Sequence, residues 1–259
     1  MLALFSVVCL VGFTACEKEI HVDLHSVEPR LVIEGLIVKD SLAKVTLTKT
    51  KDFDSDNIFQ PITDAVVTIS DDKGNYEVLK ADQSGVFRSV AFIGKVNTKY
   101  NLKVVYAGNE YTSTSTMPQL VVIDTIKLYD IPSFGYPVPL IEFQDPIDGT
   151  AHYYKSTLHI NGVRRDIGGE TTDTRNREGL LIQRILPVFD KDESTKPRLQ
   201  KGDTILVELQ AIDKGVHDFF ESLAQISSSE TNPTTNIMGG ALGYFSANTS
   251  HRKSMIADW

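Results

Sequence analysis

The chain of 259 residues is poor in cysteine, with Cys9 and Cys16 as its only two. Both fall in the first sixteen positions, so the body beyond them has no thiol. That excludes a disulfide framework, a cysteine nucleophile and a CxxC metal or redox site together. Basic residues are also scarce: 26 Lys and Arg against 34 Asp and Glu leave a formal charge of −8. A chain of that sign carries no electrostatic footprint for a nucleic-acid backbone, and nucleic acid is set aside as a partner. Glycine (17) and proline (10) are too few for a collagen-like or low-complexity chain. The hydrophobic share of 41% is enough to build a core.

Long apolar runs are missing as well, with one exception. Residues 1–15, MLALFSVVCLVGFTA, carry no charge and end in small residues directly before Cys16. The run is too short to span a bilayer and reads as a secretory signal peptide. Phe13-Thr14-Ala15-Cys16 resembles a bacterial lipobox, with Phe13 where an aliphatic residue is usual. Cys16 is therefore the expected lipidation site, its acyl chains entering a bilayer, and residues 16–27 the tether. No Lys or Arg precedes the apolar run, which points to a start further upstream. Glu17, Lys18 and Glu19 follow the cysteine, a cluster like those of surface-exposed lipoproteins.

Chemical motifs are likewise absent. His21, His25, His152, His159, His217 and His251 stand singly, none in metal-ligand spacing. There is no GxSxG elbow, SxxK pair or P-loop, and the glycines of residues 239–243 lack dinucleotide-fold spacing. They read as turn or close-approach glycines. Asp52, Asp54 and Asp56 imitate the first half of a calcium loop, but Asn57 stands where a glycine is needed and Thr63 where a bidentate Glu is needed. A solvated loop is the better reading. No pair of acids is singled out as the carboxylates of a glycan hydrolase, and no cofactor motif is present.

What is there is alternation. Residues 30–38 form a β-branched run, Ala43, Val45 and Leu47 alternate with polar partners, and so do Ala65, Val67 and Ile69. Residues 71–75 supply turn chemistry before residues 76–78 return the chain. Residues 85–89 and 100–106 add strands, and residues 110–116 make a polar edge strand. Such short strands without helical periodicity predict an immunoglobulin-like β-sandwich over residues 28–119, with Val45, Leu47, Val67, Ile69, Leu102 and Val104 in one core. Met117-Pro118 closes that unit and predicts that it folds alone.

Residues 120–259 read as a second β domain carrying one helix. Tyr154, Ser156, Leu158 and Ile160 alternate into Asn161-Gly162, a strong hairpin signal. Residues 180–188 and 204–212 add strands. A helix is expected near residues 214–227, capped by Asp213, with Val216, Phe219, Phe220, Leu223 and Ile226 on its core face. Loops 190–196 and 227–236 are polar and long enough to reach a partner.

Five segments in order, CEKEI from Cys16, EPRLVIEG from Glu28, AVVTISDD from Ala65, YTSTSTMP from Tyr111 and NIMGGALGYF from Asn236, resemble the domain-of-unknown-function 4249 lipoproteins of the Bacteroidota. The resemblance covers nearly the whole chain. It implies an all-β protein anchored on the outer membrane and facing the cell surface, serving a TonB-dependent β-barrel transporter as an accessory or assembly partner. It brings no catalytic residues. The rival readings are a glycan-acting hydrolase, which a cleft holding two perturbed acids would favour, and an adhesive or structural module.

Overall fold

The computed structural model describes residues 28–50, 61–132, 136–165, 167–168, 171–174, 179–187, 199–226 and 231–259. The signal run, Cys16 and its tether, His21, His25, Asp52, Asp54, Asp56 and loop 190–196 lie outside the described residues.

The first half contributes β1 (Leu31–Val38), β2 (Leu42–Lys49), β3 (Val66–Asp71), β4 (Tyr76–Val78), β5 (Lys80–Ala81), β6 (Val86–Ile93), β7 (Lys99–Tyr106) and β8 (Asn109–Thr116). Then come β9 (Ile123–Ile131), β10 (Tyr136–Asp145), β11 (Tyr153–Ile160), β12 (Val163–Arg165), β13 (Ile167–Gly168), β14 (Thr171–Asp173), β15 (Gly179–Arg184) and β16 (Leu186–Pro187). The chain ends with β17 (Thr204–Ile212), α1 (Lys214–Ala224), β18 (Ile237–Met238) and β19 (Leu242–Ile256). The protein is all-β with this one helix among the described residues.

Two sheets face each other in the first half. The strand order β18-β8-β7-β3-β4 makes one, and the run β19-β1-β2-β6-β5 makes the other. Alternation drives this: Val45, Leu47, Val67, Ile69, Leu102 and Val104 share one buried cluster, as period-2 patterning requires. Tyr100 closes a corner of it, since the Lys95 N–H donates to its hydroxyl at 2.6 Å and the hydroxyl donates to the Lys95 carbonyl at 3.1 Å. This is the tyrosine corner of immunoglobulin-like sandwiches. Ala107 and Gly108 (φ 49° and 78°) turn β7 into β8, and Asn161 and Gly162 (φ 50° and 77°) turn β11 into β12. Both pairs have the two positive φ angles that a tight two-residue hairpin needs.

The boundary near residue 119 is crossed by β19. Fifteen residues long, about 46 Å at ~3.3 Å per residue, this strand pairs in parallel with β1 and, further along, antiparallel with β17. One nine-stranded sheet, β12-β11-β17-β19-β1-β2-β6-β5 with β14 also on β11, therefore runs through both halves. Phe245, Ala247, Ile237 and Ala241 sit in the first core, so residues 28–119 lack part of their own interior. The second core lies between β11, β17 and β19 of this sheet and the three-stranded sheet β15-β10-β9. Gly243 (φ 95°) allows the close approach to β1, because a Cβ there would stand 2.1 Å from the Ile33 carbonyl oxygen.

Asp213 caps α1 as its sequence position predicts, accepting from the Val216 N–H at 3.0 Å. The helix is shorter than the periodicity suggests. It ends at Ala224, leaving Ile226 45% and Leu223 39% exposed, while Val216, His217 and Phe219 are buried. Phe219 and Phe220 pack against Tyr244 at ring centroid distances of 4.8 and 5.0 Å, which docks the helix on the shared sheet.

Candidate functional site

A cleft of about 370 Å³ opens where the two halves meet. Asn97, Pro118 and Gln119 come from the first half, and Pro146, Tyr153 and Lys214 from the second. It forms because β10 and β11 are joined by the loop that starts at Asp145 and ends at His152, across from the segment that leads out of β8.

That loop is pinned by its own polar side chains. Asp145 is 2% exposed and accepts from the Tyr154 hydroxyl at 2.6 Å. His152 turns Nδ1 toward Asp145 Oδ1 at 3.2 Å and Nε2 toward Asp148 Oδ2 at 3.3 Å. Asp148 Oδ1 in turn accepts from the Thr150 hydroxyl at 2.7 Å and the Thr150 N–H at 2.9 Å. Those two bonds, with His152 close by, hold the Asp148 carboxyl below its ordinary range against a small opposing effect of burial. Burial first, then Asp145, push the Tyr154 hydroxyl far up, so it stays a donor.

The arrangement looks at first like a hydroxyl, imidazole and carboxylate relay, since Thr150 Oγ1 lies 3.2 Å from His152 Nε2. The Thr150 proton, however, is directed to Asp148. A general acid for glycan cleavage needs a carboxyl pushed up; Asp148, the acid of this loop that lines the cleft, is pushed down. Asp213, also on the wall, uses one oxygen to cap α1 and the other to hold the Ser115 hydroxyl at 2.5 Å and the Thr116 N–H at 3.1 Å. Among the described residues no three His, Cys, Asp or Glu converge as a metal set; the two carboxylates flanking His152 face different ring nitrogens.

The same loop leads onto an apolar surface. Cross-strand register puts Leu180, Ile182 and Arg184 of β15 on one face with Leu140, Glu142 and Gln144 of β10 and with Lys127 and Tyr129 of β9. Leu180 and Ile182 are each 55% exposed and Tyr129 is 43% exposed. Arg184 stacks on the Tyr129 ring at 4.7 Å, and Lys127 pairs with Glu142 at 2.6 Å. Ile147 of the pinned loop, 76% exposed, reaches the space above Gly179 and extends the patch. Cleft and patch are therefore two sides of one loop.

The histidines separate. His251 accepts from the Ile123 N–H at 3.0 Å and joins β19 to β9. His217 is buried beside Tyr153, their rings 5.0 Å apart, and His159 lies on β11. Of loop 227–236, residues 231–236 are described: Thr234 bonds to Ser222 on α1, Thr235 to the Gly243 carbonyl and Asn236 by both amide atoms to Phe245, which ties the end of the loop to β19, while Thr231 and Asn232 are exposed. Sequence reasoning missed the Asp145, His152 and Tyr154 cluster, whose signal is two acids and a histidine bracketing a Gly-containing turn between two strands.

These features define an all-β protein of two sandwiches sharing one long strand, with a cleft at their junction. The chain belongs to the family described as Domain of unknown function (DUF4249), whose model matches residues 17–254. No curated protein matches it. One solved structure it is similar to is a DUF4785 family protein from Legionella pneumophila subsp. pneumophila str. Philadelphia 1, with 11% identity and a TM-score of 0.27 over 71% of this chain. The chain spans about half the length of that protein, 52%.

Proposed function

We propose that this protein is a non-enzymatic, lipid-anchored component of the outer membrane, facing the cell surface, that docks as an accessory or assembly partner on a TonB-dependent β-barrel transporter. The observation that carries the docking is the apolar sheet face of Leu180, Ile182, Tyr129 and Ile147, bordered by Arg184, Lys127 and Glu142. An apolar patch with a charged margin is the composition of a protein-binding surface. Cys16, at the end of the apolar run, supports the anchor, and no described helix is long and apolar enough to cross a membrane. Tethering raises the local concentration, so a modest interface is enough for occupancy. The enzyme reading is disfavoured by the lowered Asp148 carboxyl and by the engagement of Asp213 in capping.

The test is copurification after mild detergent extraction from the native membrane. The wild-type protein is expected to bring down a β-barrel transporter, and Leu180→Asp with Ile182→Asp to lose it while staying folded and membrane-bound. Retention of the barrel by the double variant, or turnover of a glycan by the purified body, would replace the proposal with the adhesive or the hydrolase reading.

A further inference from the structure

We infer that neither half of the body completes its folding before the last strand is in place, so that both sandwiches close in one step around β19. The first and last strands pair in parallel from Val32 opposite Leu242 to Val38 opposite Asn248. Strand β1 thus finds its hydrogen-bond partners on one side in β2 and on the other in chain made far later; the Arg30 guanidinium donates to the Gly240 carbonyl across 210 residues. Without β19 the first core loses Phe245 and Ala247, both fully buried. Gly35 leaves a space that the Phe245 ring fills, since a Cβ at 35 would stand 2.7 Å from its Cδ2.

The second half is equally incomplete without this strand. Strand β17 pairs with β19 from Thr204 opposite Ile256 to Ala211 opposite Thr249, and would otherwise be an edge. Ser115 couples the two halves, accepting from the Ala247 N–H at 2.7 Å and donating to Asp213 Oδ2. Thr249, fully buried at the crossing, donates to the Gln119 carbonyl at 3.1 Å. Chains with two sandwiches commonly fold the first one while the second is being made. Here that route is closed, because the pairing that finishes the first sheet carries the loop-closure cost of almost the whole chain. A body that stays open until its final strand emerges also suits the export required by the proposed outer-membrane reading, on which the folding inference itself does not depend.

The experiment is refolding of the full chain from denaturant with pulses of hydrogen exchange read by fragment. Amides of β1, β2 and β7 are expected to gain protection in the same kinetic phase as those of β11, β17 and β19. At equilibrium, Phe245→Leu in the first core and Thr249→Val at the crossing should each lower the unfolding midpoints of β2 and of β11 by the same amount. Protection of β1 to β8 in an earlier phase than β19, or a midpoint shift confined to one half in both variants, would overturn the inference.

Discussion

Phe245 lies directly across the parallel strand pair from Gly35, and its ring occupies the place a side chain at 35 would take. An aromatic ring over a cross-strand glycine pins register, and here it does so between the first and last strands. A Cβ at position 35 would meet Phe245 Cδ2 at 2.7 Å and Leu102 Cδ2 at 3.3 Å. Gly35→Ala is therefore expected to cost about 1–3 kcal/mol by overpacking, and Phe245→Ala about 3–5 kcal/mol through the cavity it leaves. Urea denaturation of the two variants measures both.

Glu77 predicts an acid-sensitive seam. Its carboxylate, on β4, accepts from the N–H groups of Val90, Ala91 and Phe92 on β6 at 2.5, 3.1 and 2.8 Å, clasping the edges of the two facing sheets. Burial raises its pKa, and the three N–H bonds with Lys80 nearby more than offset this, so the folded value lies below the ordinary 4.5. With the folded value depressed, the stabilisation is present above 4.5 and lost as the pH falls through the folded value. Glu77→Gln should be less stable than wild type at neutral pH, the gap narrowing on acidification. Denaturation midpoints from pH 7 to pH 3 read this directly, and a constant gap would contradict it.

Asp213 should be sensitive because one carboxylate serves both halves. Asp213→Ala removes the α1 cap, worth about 1–2 kcal/mol, and leaves Ser115 and the Thr116 N–H without their acceptor. Asp213→Asn keeps an acceptor for the cap and should lose less. Thermal unfolding of the pair should rank wild type, Asn and Ala in that order.

Cys16→Ala should release the protein from membranes, since acyl chains contribute about 0.8 kcal/mol per buried CH₂. Fractionation checks it, and an unmodified Cys16 in the membrane fraction by mass spectrometry would contradict the anchor.

Much of the fold was legible wherever one face of a strand is wet. The alternation of Val45 and Leu47, the Asn161-Gly162 turn and the Asp213 cap all read locally and stand in the structure as expected. A terminal strand after residues 238–245 is expected from the sequence, but the length and central place of β19 were not legible, because its central residues are polar and still buried: Ser246 is 2%, Asn248 1% and Thr249 0% exposed. A strand central to a sheet has neighbours that take up part of such groups, here the Thr249 hydroxyl donating to the Gln119 carbonyl and the Asn248 amide to the Ser246 hydroxyl. No local pattern reports a partner strand that far away in sequence. The residues of the candidate site are near in sequence, but which of them meet is set by the sheets around them. Asp145, His152 and Tyr154 meet only because β10 and β11 lie in facing sheets, and Leu180 with Ile182 is an ordinary strand motif until the face they project from is known to be uncovered.

The most direct measurement of the docking claim is photo-crosslinking in intact cells from a probe placed at position 182. Leu180→Asp, a surface change expected to alter stability by no more than about 0.5 kcal/mol, serves as the control. The account predicts an adduct with an outer-membrane β-barrel transporter that disappears in the Leu180→Asp background. An adduct with no barrel protein from position 182, 147 or 129, in cells where the protein is anchored and folded, would contradict it.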